Sequence, residues 1–276
     1  MDQRFTILIL QSGKLGDMVC TTPMFRAIKE QRKDARLVVM GSGLNKELLA
    51  GDPYVDEFIV HPRTHEELRR LFVEKKSDAL ILTSPNPRAL LEGLRARIPA
   101  IITPKVVGGR SPYATRTYRL LSLLATRVSV RFGHYMPGEY LRLLEPLGIR
   151  SSDTRKALAV DGAAVRRVRA GLEASVKPGS LLVGISPGVG NDSKTWPPER
   201  FAAVAAGISA AHPDAAIVVI GGERDLPDVS AMCAALPPAV PRYLPGVLPL
   251  EELKALIGQL HLFIAVDTGP IYVAEA

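Results

Sequence analysis

The sequence predicts an α/β protein made of two separate parallel-sheet modules. Three observations carry this expectation. Short apolar runs alternate with segments of helical periodicity, the order that βαβ units produce. The runs read as strands are apolar on both faces, as in sheets covered by helices on either side. The alternation lapses over a polar stretch at residues 151–156 and then restarts.

In the first module, residues 6–11 form a buried strand, 15–31 a helix and 36–41 the next strand. Strands at 58–61 and 79–83 flank a charged helix at 65–75, and 99–103 is a further strand. Residues 104–119 interrupt the pattern with Lys105, Gly108, Gly109, Arg110, Pro112, Arg116 and Arg119, and read as a mobile basic loop. An apolar helix at 117–126 follows, then a helix at 135–147 that ends on Gly148, a residue suited to a C-cap. The domains are therefore 1–155 and 156–276. The second holds a short strand at 157–160, a basic helix at 163–175 and a strand at 181–186. Helices at 198–212, 226–236 and 250–259 then alternate with strands at 215–221, 242–244 and 262–266.

Composition narrows the classes. The 276 residues are 47% hydrophobic and 23% charged, which excludes a disordered chain. Cys20 and Cys233 are too few for a disulfide framework and fit a reducing compartment. No run approaches the roughly 18 apolar residues of a membrane span, and the first apolar run is too short for a signal sequence. A cytoplasmic protein is expected. The net charge of +7 suits an anionic ligand or surface. Basic residues spread over helices without an aromatic strand motif argue against nucleic acid. The five histidines lack ligand spacing, and Pro62 separates His61 from His65, so no metal site is expected.

In open α/β sheets ligands bind beyond the carboxyl ends of the strands, and four stretches lie there. The first runs from Gln11 through Gly13, Lys14 and Gly16 to Asp17. Its spacing matches neither a dinucleotide fingerprint nor a P-loop. Asp17 is a helix cap or a catalytic carboxylate, and spacing leaves both open. In the second, Gly188 and Gly190 permit close backbone approach to an anion and Lys194 adds charge, although a Gly/Pro turn anchored by Trp196 also fits. The third is Gly221-Gly222-Glu223, where the carboxylate could meet ribose hydroxyls or merely pair with Arg224. The fourth, Asp267-Thr268-Gly269-Pro270, combines a carboxylate, a hydroxyl and a backbone amide, or simply caps a helix.

Together these stretches resemble glycosyltransferase family 9, the heptosyltransferases. The carrying motifs are Gly16-Asp17 through Pro23, Pro187-Gly188 with Lys194-Thr195-Trp196-Pro197-Pro198-Glu199-Arg200-Phe201, Gly221-Gly222-Glu223-Arg224-Asp225, the 250–257 helix and Asp267 to Pro270. The resemblance implies a GT-B fold, two Rossmann-like domains facing across a cleft. It implies inverting, metal-independent transfer of a heptose or related sugar from ADP-heptose to a lipopolysaccharide core or related acidic glycan, with no cofactor beyond the donor. Asp17 would then be the catalytic base, with Gly16 beside it on the acceptor side. Gly188, Lys194 and the amides around Val189, Gly190, Thr268 and Gly269 would hold the diphosphate, Glu223 the ribose and Asp267 the donor sugar. Lys105, Arg110, Arg116 and Arg119 would meet acceptor phosphates, and the basic surplus suits peripheral contact with the cytoplasmic face of the inner membrane.

Two departures stand against the family pattern. Tyr272 occupies a position where the family usually has histidine, and tyrosine carries no positive charge at neutral pH. The chain also stops at Ala276, one turn into a helix, where family members continue, so an incomplete second domain is expected. A non-catalytic ADP- or nucleotide-sugar-binding protein, or a nucleotide-sugar epimerase, are the other readings. The epimerase lacks support from any paired His/Glu constellation.

Overall fold

The computed structural model describes residues 4–108, 111, 113–188 and 194–276. They form two compact units, Met1–Ala159 and Val160–Ala276.

In the first unit a six-stranded parallel sheet has the doubly wound order β3-β2-β1-β4-β5-β6. Its strands are β1 (Thr6–Leu10), β2 (Arg36–Gly41), β3 (Glu57–Val60), β4 (Ala79–Leu82), β5 (Ala100–Gly108) and β6 (Thr126–Arg131). Ile7, Leu8, Ile9 and Leu10 of β1 are wholly buried, as are Leu80, Ile81 and Leu82 of β4. Each such side chain withdraws about 1.5–3 kcal/mol of apolar surface from water, which is why these runs occupy the middle of the sheet. Helices α1 (Leu15–Gln31), α2 (Gly43–Leu48), α3 (His65–Lys75), α4 (Pro87–Arg95), α5 (Arg116–Leu121) and α6 (Met136–Leu141) connect the strands. Pro23 lies inside α1 and cannot donate to Val19; Thr22 Oγ1 donates to that carbonyl instead, at 2.9 Å.

The second unit has a four-stranded parallel sheet in the order β10-β7-β8-β9. Its strands are β7 (Leu181–Ser186), β8 (Ala215–Val219), β9 (Arg242–Tyr243) and β10 (Leu262–Ala265). Helices α7 (Gly162–Ser175), α8 (Pro198–Ala211), α9 (Leu226–Ala235), α10 (Leu250–Ile257) and α11 (Gly269–Ala274) accompany them. Phe201 is buried against Val183, Ile185 and Ile217 in this core, and Trp196 stands edge-on to it with ring centroids 4.5 Å apart.

Four expectations are corrected. Residues 104–108 and 116–119 are not part of a basic loop: β5 continues to Gly108, paired with β6 through a register shift between Val106 and Gly108, and Arg116–Leu121 is helical. Lys105 and Val107 are exposed while Val106 is half-buried, so the basic residue lies on the solvent side of a strand. Tyr118 locks this region, its hydroxyl hydrogen-bonded to Thr103 Oγ1 at 2.7 Å and donating to the Pro104 carbonyl at 2.6 Å. The helix read at 117–126 ends in a 3-10 turn at Ser122–Leu124, and β6 begins at Thr126. Residues 157–160 form no strand; the Ala157 N–H donates to Thr22 Oγ1 at 3.2 Å. The helix at 135–147 becomes 3-10 from Arg142, where Pro146 cannot donate, and Gly148 closes it at φ +77°.

Candidate active site

The strand order of each sheet has a switch point, and polar groups gather at both. In the first unit the switch lies between β1 and β4. The loops beyond these strands open a pocket of about 620 Å³, lined by Ser12, Lys14, Asp17, His61, Ser84 and Arg88 among others. Ser12 and Ser84 meet across it, hydroxyl to hydroxyl, at 3.3 Å.

Asp17 stands in the first turn of α1. Its carboxylate accepts from the Lys14 N–H at 2.9 Å, so it is a cap that also faces the pocket. The turn that carries it is braced by Gln11, which is buried. Gln11 Oε1 accepts from the Gly13 N–H at 2.9 Å, and Nε2 donates to Thr21 Oγ1 at 2.9 Å and to the Asp17 carbonyl at 3.3 Å. Thr21 Oγ1 donates to the same carbonyl at 2.8 Å. Sequence reasoning did not single out Gln11 as a brace, although a glutamine closing an all-apolar strand was the available signal.

His61 and Arg88 were also missed as pocket residues. The Arg88 guanidinium lies 2.8 Å from His61 Nδ1 and donates to the carbonyls of Pro62 and Arg63 at 2.7 and 2.6 Å. Burial, then the Arg88 charge, pushes the His61 imidazole below its usual range. His65 does not join it, pairing with the buried Glu92 at 2.9 Å.

In the second unit the switch lies between β7 and β10. Lys194, beyond β7, forms an ion pair with Asp267, beyond β10, and its Nζ lies 3.4 Å from the Asp267 carbonyl. The Tyr272 hydroxyl donates to Asp267 Oδ1 at 3.0 Å. The hydrogen bond from Lys194, ahead of the one from Tyr272, holds the Asp267 carboxyl below the usual carboxylate range. Thr268 Oγ1 beside them is buried with no hydrogen-bond partner among the described residues. Asp225 crosses to the turn after β7: a Cβ on Gly188 would lie 2.1 Å from its Cγ. Its Oδ2 also accepts from the Gly222 N–H at 2.9 Å.

The residues singled out from sequence therefore divide. Lys194, Asp267 and Thr268 come together, with Gly269 opening α11. Gly188 packs on Asp225, while Glu223 is exposed in a 3-10 turn. Gly16 is buried within α1 and does not line the pocket that Asp17 lines. Lys105 and Arg119 line a second groove, and Arg116 lies exposed on α5. Arg110, Val189 and Gly190 lie outside the described residues. Among the described residues no group of three His, Cys, Asp or Glu could hold a metal ion.

Known proteins share this fold. Residues 113–276 match the family model of glycosyltransferase family 9 (heptosyltransferase). Lipopolysaccharide heptosyltransferase 3 of Escherichia coli is 25% identical over 277 residues, spanning 95% of this chain and 77% of its own. A solved glycosyltransferase family 9 structure from Veillonella parvula superposes with a TM-score of 0.77 at 21% identity, covering 99% of this chain and 78% of that one. The Escherichia coli ADP-heptose lps heptosyltransferase II gives 0.72 at 19%, covering 98% and 81%. These likenesses show the GT-B-type fold expected from the motifs. With the family model matching more than half of its residues, the chain belongs to glycosyltransferase family 9 and is a glycosyltransferase.

Proposed function

We propose that this enzyme transfers a heptose, or a closely related sugar, from ADP-heptose to a lipopolysaccharide core or similar acidic glycan, with inversion and without a metal ion. The observation that carries the reading is the Lys194–Asp267–Tyr272 cluster at one switch point, with Asp17 on a pocket at the other. In this reading Asp17 takes the proton of the acceptor hydroxyl. The acceptor oxygen bonds to the anomeric carbon as the bond from that carbon to the diphosphate breaks, and the nucleotide leaves with the electron pair. Lys194 offsets the charge that grows on the leaving diphosphate. Tyr272 keeps a hydrogen bond on Asp267 when Lys194 turns to the phosphates, so Asp267 stays placed for the donor sugar hydroxyls. Glu223, Gly188 and the Thr268 and Gly269 group take the remaining donor contacts.

The relatives support the donor: one solved Escherichia coli structure is the heptosyltransferase WaaC with ADP, and it shares the fold at a TM-score of 0.70. Asp17→Asn tests the reading. It keeps the side-chain shape and should cut the transfer rate by about 10²–10⁴-fold, the usual worth of a general base, while ADP-heptose still raises the melting temperature. Full transfer by this variant removes Asp17 from the chemistry. Donor binding without any transfer by the wild type favours the non-catalytic nucleotide-sugar-binding alternative.

A further inference from the structure

The charge of this chain is concentrated. Between Glu92 and Glu139 the sequence holds eight arginines and lysines and no aspartate or glutamate. That exceeds the net charge of +7 of the whole chain, so everything outside the segment is close to neutral. The same segment carries an apolar surface. Leu120, Leu123 and Leu124 are 70%, 58% and 70% exposed. Their i, i+3, i+4 spacing places them on one face of α5 and the 3-10 turn that extends it. Tyr118 and Ser122 occupy the inward face and are buried. Beside the leucines lies a groove of about 760 Å³, lined by Lys105, Val106, Tyr118, Arg119, Leu123 and Arg127. Three exposed leucines, one of them sharing a groove with Lys105, Arg119 and Arg127, in a segment without a carboxylate, do not make an ordinary solvated surface.

We infer that this face docks the enzyme on an anionic lipid bilayer, the leucines entering the interface and Lys105, Arg116, Arg119 and Arg127 meeting lipid phosphates. The charge pattern selects the occupant. A second copy of the chain would set this cationic segment against its own duplicate under two-fold symmetry, whereas a negatively charged leaflet complements Lys105, Arg116, Arg119 and Arg127. Apolar insertion combined with cation attraction is the way interfacial elements bind without spanning. This goes beyond the proposed transfer reaction, because the bilayer would be held whether or not it contains the glycan acceptor.

Flotation of the full chain with vesicles of phosphatidylcholine, with or without phosphatidylglycerol and free of any glycolipid, tests the inference. The wild type should float with the anionic vesicles and not with pure phosphatidylcholine, and should be released at high salt. Arg116→Gln and Arg119→Gln should each weaken partitioning about fivefold. The triple change Leu120→Ser, Leu123→Ser, Leu124→Ser should weaken it about tenfold or more. It alters exposed side chains only, and an unchanged melting temperature confirms that it folds. Asp17→Asn should float like the wild type, which separates this surface from the catalytic reading. Absence of wild-type flotation, or flotation that the leucine changes leave intact, overturns the inference. So does a dimer in sedimentation that the leucine changes dissociate, since that would put a second copy on this face.

Discussion

Gly13→Ala measures how tightly the turn after β1 holds Asp17. A Cβ on Gly13 would stand 2.4 Å from Asp17 Oδ2 and 2.6 Å from both its Cβ and its Cγ. Ordinary contact begins near 3.4 Å, so the overlap is about 1 Å. The carboxylate oxygen can swing away, but the Asp17 Cβ is fixed to the first turn of α1. Either the turn shifts against its Gln11 brace or the carboxylate leaves the Lys14 N–H. Overpacking of this kind costs about 1–3 kcal/mol of stability. A base displaced by about 1 Å costs on the order of 10²-fold in turnover. Urea unfolding gives the first number. Release of ADP from ADP-heptose in the presence of acceptor gives the second, with kcat and KM separated. The expected result is a lower unfolding midpoint, kcat down about 100-fold and little change in donor KM. A variant with unchanged midpoint and a kcat within about threefold of wild type would refute the argument that glycine is there to admit Asp17.

Three further outcomes follow from the same structure. Arg88→Met removes the charge beside His61, so its imidazole should titrate at a higher pH in an NMR titration; an unmoved midpoint would mean that burial alone depresses it. Lys194→Met should weaken donor binding about tenfold or more, read by calorimetry, and should raise the Asp267 pKa. Because Asp267 is held below its ordinary value of 3.8 in the folded state, it adds stability above that pH and loses it as the pH falls through the depressed value. The variant should therefore show a shallower loss of stability on acidification, by about 1 kcal/mol or less since the pair is about half exposed; an identical acid limb would exclude the pairing in solution. Tyr118→Phe strips the partner from Thr103 and the Pro104 carbonyl in a buried setting and should cost about 1–2 kcal/mol. Burial pushes the wild-type phenol up to about 12, so an absorbance titration below that pH should not differ between the two proteins.

The central strands were readable because burial on both faces leaves a continuous apolar run, as in residues 7–10 and 79–82. The sheet edge was not. In β6, Arg127 and Arg131 alternate with Val128 and Val130, and only the valines are buried. Five or six residues of such alternation, next to a helical apolar run, cannot be told from a helix end by periodicity. Pro104 misled for a related reason. Proline suggests a break, yet here its carbonyl is held by Tyr118, and the strand passes through it to pair with β6. Helix α4 was missed although its start is well marked, with Asn86 Oδ1 accepting from the Ala89 N–H at 2.9 Å and Pro87 in the first turn. Its short apolar stripe did not stand out between two strands.

The candidate sites were legible for a different reason. Residues that end strands at a switch point are close in sequence to a strongly patterned element, so Asp17, Lys194 and Asp267 could be placed from one chain alone. Their neighbours could not. His61 follows β3, Arg88 lies in α4 and Asp225 follows β8, and only the strand order brings each beside its partner. Tyr272 shows the limit of reading departures one residue at a time. Read alone, it offers no positive charge at neutral pH, but in the fold its hydroxyl supplies the hydrogen bond to Asp267. That hydrogen bond orients the carboxylate, and Lys194 carries the positive charge beside it. Loss of Lys194 should consequently leave Asp267 with the tyrosine hydrogen bond and no ion-pair partner among the described residues.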